Sequence, residues 1–192
     1  MPHKLAVVSH GKDEDFFYEM WMRHYGELFG YENLYFVKDR SDWVLPATLP
    51  RPNVIDASFP AHRQEFDQEI GRYMSAFCSG LLDQYDIVIR TDIDEFVFPD
   101  PKVGSWDTVF DEVLETGYLY ALGFDVIHRP KVEGPYDTSA GVFEQRTLLR
   151  MDGTYCKSHL ISQPVQWRGP CHLIEGVPLD RQRTLHGSSG AD

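Results

Sequence analysis

Residues 86–96 read DIVIRTDIDEF, an apolar run that is followed at once by Asp92, Asp94 and Glu95. A continuous apolar run of this length is typical of a strand that is buried on both faces of a parallel sheet. In open α/β sheets, ligands bind outside the carboxyl ends of such strands, and the three acidic residues stand at that end. This stretch therefore predicts the class of fold and the position of a binding site together.

The segments on either side of this stretch alternate between the patterns of strands and helices. Four strands are predicted, at 4–9, 34–37, 86–90 and 118–124. Three helices are predicted, at 15–29, 61–85 and 105–115. Asp15 is a candidate N-cap of the first helix and Gly30 ends it, while the proline-rich connection at 46–60 favours neither a helix nor a central strand. The alternation predicts an α/β fold with a mostly parallel central sheet flanked by helices.

The length of the chain fits a single domain. Hydrophobic cores usually divide only beyond roughly 250 residues, and this chain has 192. We expect one domain over 1–192, with a nucleotide-fold-like α/β part at 1–126, a loop-rich part at 127–192 and no linker between them. Residues 185–192 contain no strand or helix pattern that would close the domain, as expected of a domain truncated at its C-terminus.

Composition and charge limit the kinds of partner. The chain carries a formal net charge of −12 and lacks the clustered basic residues that nucleic-acid phosphates require, so no nucleic-acid partner is expected. It has no apolar stretch of ~20 residues and no leader pattern at its start. We therefore expect a cytoplasmic protein, and peripheral association with a membrane is not visible in this sequence. Cys78, Cys156 and Cys171 form no CxxC pair, and we expect reduced packing residues.

The two aspartates of the acidic segment have the spacing of a metal site. In an extended segment, residues two apart point to the same side, so Asp92 and Asp94 can offer both carboxylates to one ion while Ile93 points into the core. Carboxylate oxygens suit Mg²⁺ or Mn²⁺ and leave coordination positions open for phosphate oxygens. Two alternatives stay open, namely a solvated surface pair and a structural salt bridge to Arg90 or another cation.

The acidic segment occurs together with three further features of the first half of the chain. They are the Asp13-Glu14 loop, the helix that contains Trp21 and His24, and residues 38–42 (KDRSD) after the second strand. Together with residues 91–96 (TDIDEF), they resemble a GT-A glycosyltransferase, closest to the family 2 and family 92-like group. The resemblance covers most of the chain to about Phe98 and returns more loosely through Lys157, Pro164 and His172.

The resemblance implies a GT-A, Rossmann-like fold in which residues 1–126 bind a nucleotide-sugar and residues 127–192 face the acceptor. It implies a nucleotide-diphosphate-sugar donor, a carbohydrate or glycolipid acceptor, and Mn²⁺ or Mg²⁺ as cofactor. The donor-binding residues that it implies are Ser9, His10 and Gly11 under the base, Asp39 near the base, and Asp92 at the ribose or sugar. The metal residues that it implies are Asp94 as the principal ligand, Asp92, and His172, with His186 as the alternative histidine.

A general base is required on the acceptor side if the transfer inverts the anomeric carbon. Glu133 and Asp137 are the candidates, with Glu144 next, and an ordinary surface acid is the alternative for each. No Glu-Asp dipeptide can be assigned as this base, which departs from the family pattern and leaves inversion or retention open.

Basic and aromatic residues of the second part have two interpretations each. Four basic residues either hold diphosphate oxygens or form ordinary ion pairs, and they are Arg146, Arg150, Lys157 and Arg168. Trp167 either stacks on a sugar or packs in the core.

The sequence thus predicts a metal-dependent glycosyltransferase, with a hexose as the expected sugar. One rival is a Mg²⁺-dependent nucleotidyltransferase or phosphohydrolase that uses the same acidic pair, although the sequence has no glycine-rich phosphate loop. The other rival is a noncatalytic nucleotide-sugar-binding module, because a fold alone does not establish activity.

Overall fold

A computed structural model describes residues 3–40, 42–60, 63–100, 102, 104–138, 140–168 and 172–177. Within them the strands are β1 (Leu5–Gly11), β2 (Leu34–Asp39), β3 (Asn53–Ala57), β4 (Ile87–Arg90), β5 (Tyr118–Tyr120), β6 (Phe124–Ile127), β7 (Leu148–Met151), β8 (Ser158–Ile161), β9 (Trp167–Arg168) and β10 (Leu173–Ile174). The α-helices are α1 (Asp15–Phe29), α2 (Arg63–Leu81), α3 (Trp106–Thr116) and α4 (Val142–Gln145), and 3₁₀ turns span Tyr31–Asn33 and Gly153–Tyr155.

A six-stranded sheet in the order β3-β2-β1-β4-β8-β5 forms the centre of the protein. The first four strands are mutually parallel, and β8 runs antiparallel to both β4 and β5. The predicted α/β class with a mostly parallel central sheet is therefore confirmed. From β1 the chain moves outward to β2 and β3, and β4 then returns to the other side of β1. The strand order reverses between β1 and β4, which is where ligands bind in sheets of this kind.

Helices cover both faces of this sheet, and each face has its own hydrophobic core. Successive residues of β1 alternate between the two faces, so Val7 joins the core that contains Trp21 of α1 and Val113 of α3. Ala6 and Val8 join the other core, which is built on α2. All of these apolar side chains are buried, as the continuous apolar strands of the sequence predict.

The N-cap of α1 and the extent of the strand at 118–124 differ from their predictions. Asp15 is the first residue of α1 and not its N-cap, and its carboxylate instead accepts a hydrogen bond of 2.7 Å from Trp43 Nε1. The proline-rich connection contains strand β3, which is compatible with proline nearby because β3 is an edge strand that lies between Pro52 and Pro60.

The predicted strand at 118–124 is in fact divided between two sheets. β5 ends at Tyr120, and β6 begins at Phe124 and pairs with β7 in a separate two-stranded sheet. A Cβ atom at Gly123 would lie 2.3 Å from the carbonyl carbon of Tyr155, so the chain turns here in contact with another backbone segment. The two strands are separated where two backbone segments approach each other closely. A pattern of apolar residues cannot predict such an approach.

The cysteine prediction is confirmed for the two cysteines that the structure describes. Cys78 and Cys156 are free and buried, and Cys171 lies outside the described residues. Burial raises the pKa of the Cys78 thiol to about 12. Along the described part of the chain, no helix has the length and apolar character needed to cross a membrane.

Thr91, which directly precedes the acidic segment, is tied to helix α1 by a buried hydrogen bond. Trp21 Nε1 donates to Thr91 Oγ1 over 3.0 Å, and both side chains are inaccessible to solvent. We predict that Thr91→Val lowers the free energy of unfolding by about 1–3 kcal/mol, because the indole N–H is left buried and unpaired. Urea denaturation measures this. Thr91→Ser keeps the hydroxyl and serves as the control, and a Val variant as stable as the Ser variant would contradict the prediction.

Candidate functional site

A cavity of about 520 Å³ opens at the carboxyl ends of β1, β2 and β4, beside the reversal of strand order. Its lining residues come from the ends of these strands, the loops that follow them and the start of α2. They are His10, Gly11, Lys12, Glu14, Asp39, Arg40, Phe59, Pro60, Phe66, Asp92, Ile93 and Asp94. The volume lies in the range of small-molecule sites.

Asp92 and Asp94 both line this cavity, as the spacing predicts. The segment is a tight turn and not a strand, because β4 ends at Arg90 and the Glu95 N–H donates to the Asp92 carbonyl over 3.1 Å. Ile93, which separates the two aspartates in the sequence, is buried in the core on the α1 side of the sheet. A Cβ atom at Gly11 would lie 2.9 Å from Ile93 Cδ1, so the end of β1 packs closely under the turn.

The carboxylate of Asp92 is held by two residues of the second half of the chain. Lys157 Nζ donates to Oδ2 over 2.6 Å, and His172 Nε2 donates to Oδ1 over 3.2 Å. Burial alone would raise the pKa of Asp92, but the hydrogen bond from His172 and the charge of Lys157 outweigh it and hold the pKa well below the usual range. Of the predicted alternatives, a salt bridge to a cation other than Arg90 is present at Asp92.

Asp94 has the opposite electrostatic environment. Its side chain is exposed to the cavity and forms no ion pair with a described residue. Partial burial and the neighbouring charge of Asp92 raise its pKa. Asp94 is thus the carboxylate whose charge is least compensated by the protein, which is the property of a group that receives a cation.

His172 lies behind Asp92 and is not among the residues that line the cavity. It is almost completely buried, and its Nδ1 atom has no hydrogen-bond partner among the residues that the structure describes. Burial and the nearby Arg90 charge lower its pKa well below that of a free histidine. His172 therefore contacts the predicted metal site only by its hydrogen bond to Asp92. Its role as a direct metal ligand stays a prediction.

Glu95, His159 and His172 form a group whose ligand atoms lie within 4.8 Å of one another and could hold a metal ion. His159 Nδ1 donates to the Arg90 carbonyl over 2.9 Å, which leaves Nε2 directed towards Glu95 at 4.0 Å. Glu95 itself is engaged, because Lys157 Nζ lies 2.6 Å from its Oε1 atom. The sequence analysis missed Glu95 and His159, although Glu95 is part of the acidic segment itself.

Arg90 and Trp167 pack on each other on the α2 side of the sheet. The guanidinium carbon of Arg90 lies 4.7 Å from the centre of the Trp167 ring, and both side chains are buried. Trp167 is thus a core residue, and no sugar can stack on it in this conformation.

The predicted donor-binding residues of β1 and β2 reach the cavity with one exception. His10, Gly11 and Asp39 line it, while Ser9 is fully buried and is not among the lining residues. Burial lowers the pKa of His10 to about 4, so this ring is neutral at pH 7. One oxygen of Asp39 accepts a hydrogen bond of 3.2 Å from the backbone N–H of Phe59.

An aromatic wall opposite the acidic turn was missed in the sequence. Phe59 and Phe66 line the cavity with their rings 5.9 Å apart, and the His10 ring lies 6.3 Å from that of Phe66. Two phenylalanines near the start of a helix are an ordinary packing pattern, and only the tertiary structure places them at the ends of β1 and β2. Flat apolar faces of this kind suit the stacking of an aromatic ring system.

Backbone strain concentrates around the cavity. Among the described residues other than glycine, positive φ angles occur at Asp13 (56°), Arg40 (79°) and His172 (45°). Arg40 lines the cavity, Asp13 lies between two lining residues, and His172 contacts Asp92. Left-handed backbone is uncommon outside glycine, although Asp and His adopt it more readily than most residues, and residues with strained backbone cluster at functional sites.

The predicted acceptor-side acids lie outside the cavity lining. Glu133 accepts hydrogen bonds of 2.7 and 3.0 Å from the backbone and guanidinium of Arg129, which lower its pKa. The backbone N–H of Asp137 donates to Gln145, and Glu144 accepts at 3.3 Å from the N–H of Gly141 at the start of α4. All three stay predictions, and His186 lies outside the described residues.

The remaining basic candidates form ion pairs. Arg146 lies 3.9 Å from Glu133, Arg150 pairs with Asp125, and Arg168 pairs with Glu175. These three arginines therefore form ordinary ion pairs in the structure.

Comparisons of the chain with protein-family models, curated proteins and solved structures found no match. The fold and the site together define an α/β protein with an acidic cavity at the reversal of strand order.

We predict that Gly11→Ala disturbs the acidic turn, because its new methyl group would overlap Ile93, whose neighbours carry both carboxylates. The expected result is a loss of about 1–3 kcal/mol in the free energy of unfolding, together with weaker divalent-cation binding. Chemical denaturation and calorimetric metal titration measure the two effects. Gly153→Ala is the matched control, since a Cβ atom there has no neighbour within 4 Å. Equal behaviour of the two variants would contradict close packing of Gly11 under the turn.

Proposed function

We propose that this protein is a metal-dependent glycosyltransferase of the GT-A type, which moves a sugar from a nucleotide-diphosphate sugar to a carbohydrate or glycolipid acceptor. The observation that carries the proposal is that Asp92 and Asp94 face one cavity at the carboxyl end of β4, where the strand order reverses. A carboxylate pair at this position suits a ligand whose phosphates bind through a divalent cation.

The chemistry of the donor groups supports a Mn²⁺ or Mg²⁺ site at this turn. Asp94 is an exposed carboxylate that forms no ion pair with a described residue, and Asp92 is a second carboxylate that stays ionised. These two residues would hold the ion, while His172 orients Asp92 through its hydrogen bond. A bound divalent cation would absorb the negative charge that builds on a diphosphate leaving group.

The aromatic wall of the cavity supports a donor sugar that is attached to a nucleotide. Phe59 and Phe66 offer apolar ring faces for a base, with the neutral ring of His10 beside them. Asp39 still has one carboxylate oxygen for a base or ribose donor, since the Phe59 N–H engages Oδ1. The base would then bind near the ends of β1 and β2, and its phosphates would extend towards the turn after β4.

The segment at 128–146 is the candidate acceptor side. Its Tyr136 ring lies 5.8 Å from Phe16 at the start of α1, close to Glu14 of the cavity lining. Phe143 lies 5.6 Å from Phe98, which follows the acidic turn. These two aromatic contacts attach the segment to the start of α1 and to Phe98, and an acceptor would approach the donor sugar from this side.

We predict that Mn²⁺ and a nucleoside diphosphate bind cooperatively, because phosphate oxygens complete the coordination that Asp92 and Asp94 begin. The expected reciprocal coupling is ~1–3 kcal/mol, measured by calorimetric titration of diphosphate with and without Mn²⁺. Asp94→Asn should abolish the coupling, while the matched change Asp83→Asn, at an exposed position after α2, should leave it intact. Diphosphate affinity that is indifferent to Mn²⁺ would remove the metal from the proposal.

The rivals differ from this proposal in their products. With a nucleotide-sugar and a panel of carbohydrate and glycolipid acceptors, a glycosyltransferase releases nucleoside diphosphate and forms a new glycoside. A phosphohydrolase cleaves the diphosphate with water and releases nucleoside monophosphate and sugar phosphate. A nucleotidyltransferase transfers the nucleoside monophosphate to an acceptor and releases sugar phosphate. A binding module gives neither product although it binds the donor.

We predict that the amide variant of the general base binds donor normally and loses turnover by about 10²–10⁴-fold. Hydrogen bonds from the backbone and the side chain of Arg129 lower the pKa of Glu133 and weaken it as a base, so we expect a smaller loss in Glu133→Gln than in Asp137→Asn. Donor affinity and transfer rate are measured separately, with Glu144→Gln as the comparison. Near-normal rates in all three variants would place the base elsewhere or indicate a retaining enzyme.

A further inference from the structure

The ammonium group of Lys157 lies between two carboxylates of the acidic segment. Its Nζ atom is 2.6 Å from Asp92 Oδ2 and 2.6 Å from Glu95 Oε1. The lysine is 5% exposed, although lysine is among the residues that proteins bury least often. Lys157 is thus buried, paired with two carboxylates and adjacent to the predicted cation site. The proposed function gives this charge no role.

The antiparallel pairing of β4 and β8 fixes the position of Lys157. Ile89 pairs with Leu160 near the end of β4, and Lys157, which directly precedes β8, contacts Asp92 in the turn that follows β4. The Lys157 carbonyl also accepts a hydrogen bond of 3.0 Å from the N–H of Ala121, which anchors this residue from the β5 side. The ammonium therefore reaches Asp92 because the sheet places it there, and not through a chance contact of a flexible surface side chain.

We propose that Lys157 is a resident counter-cation of the acidic turn, which holds Asp92 and Glu95 together without metal and competes with a divalent cation for Asp92. The proposal rests on the proposed metal site and specifies how its affinity is set. Two negative charges buried together repel each other and lose hydration, and a cation within hydrogen-bond distance of both offsets this cost. Lys157 supplies that cation permanently.

The same arrangement assigns unequal shares of metal binding to the two aspartates. Asp92 already gives one oxygen to Lys157 and the other to His172, whereas Asp94 has no ion pair with a described residue. A divalent cation is therefore bound chiefly by Asp94, and the ammonium charge a few ångströms away opposes it. Lys157 keeps the affinity for the free metal low, so that tight binding requires the negative charge of a diphosphate.

The test compares Mn²⁺ binding and thermal stability in wild type, Lys157→Met, Lys157→Arg and the exposed control Lys131→Met. Without metal, we expect Lys157→Met to lower Tm by more than about 4 °C and Lys131→Met to leave it unchanged. Calorimetry should give Mn²⁺ binding to Lys157→Met at least about tenfold tighter than to wild type, and Mn²⁺ should restore much of the lost Tm. Lys157→Arg, which keeps the charge, should stay close to wild type in Mn²⁺ affinity.

Each outcome separates this proposal from the proposed function. If wild type binds Mn²⁺ and Lys157→Met binds it no more tightly, competition by Lys157 is wrong while the metal site stands. If only Lys157→Met binds Mn²⁺ in the absence of diphosphate, the resident cation is supported, and Mn²⁺ titration of the wild type in the presence of nucleoside diphosphate then decides its metal dependence. If neither binds Mn²⁺, both are overturned.

A second variant decides the matter if Lys157→Met does not fold with or without Mn²⁺. In the wild-type background, competition by Lys157 predicts that Asp92→Asn changes Mn²⁺ affinity less than about threefold, whereas Asp94→Asn reduces it by more than about tenfold. Equal losses in the two variants would overturn the proposal, because they would show that Asp92 contributes as a full ligand despite Lys157.

Discussion

The ion pair between Lys157 and Asp92 is the interaction on which the arrangement of this site depends. Carboxylates at the end of a buried strand lose hydration, and the protein must supply positive charge or hydrogen-bond donors to keep them ionised. Lys157 does so at 2.6 Å, and His172 adds a donor at 3.2 Å. Both residues come from the second half of the chain, so the acidic turn of the first half is complete only when β8 has joined the sheet.

The two aspartates of the turn have opposite environments and therefore opposite chemical tendencies. His172 and Lys157 lower the pKa of Asp92, while partial burial and the charge of Asp92 raise the pKa of Asp94. When the environments of neighbouring acids displace their pKa values in opposite directions, the two groups usually have different roles. Here Asp92 is the fixed carboxylate on the protein side, and Asp94 is the carboxylate that faces the cavity.

The cavity combines the acidic turn with the aromatic wall, and the two come from different parts of the chain. The turn after β4 contributes Asp92 and Asp94, while Phe59 and Phe66 come from the segment between β3 and α2. The ends of β1 and β2 join the two sides. Because the strand order reverses between β1 and β4, the loops after these strands diverge and leave room for a ligand.

The sequence by itself determined the α/β class, the bounds of α1 and the position of the acidic segment at the carboxyl end of a buried strand, because apolar periodicity is a local property. It did not determine the partners of Asp92 or the aromatic wall. Lys157 lies 65 residues from Asp92, and the antiparallel register of β8 against β4 brings them together. Long-range strand pairing leaves no periodic mark on either partner, so only the tertiary structure decided which charges meet.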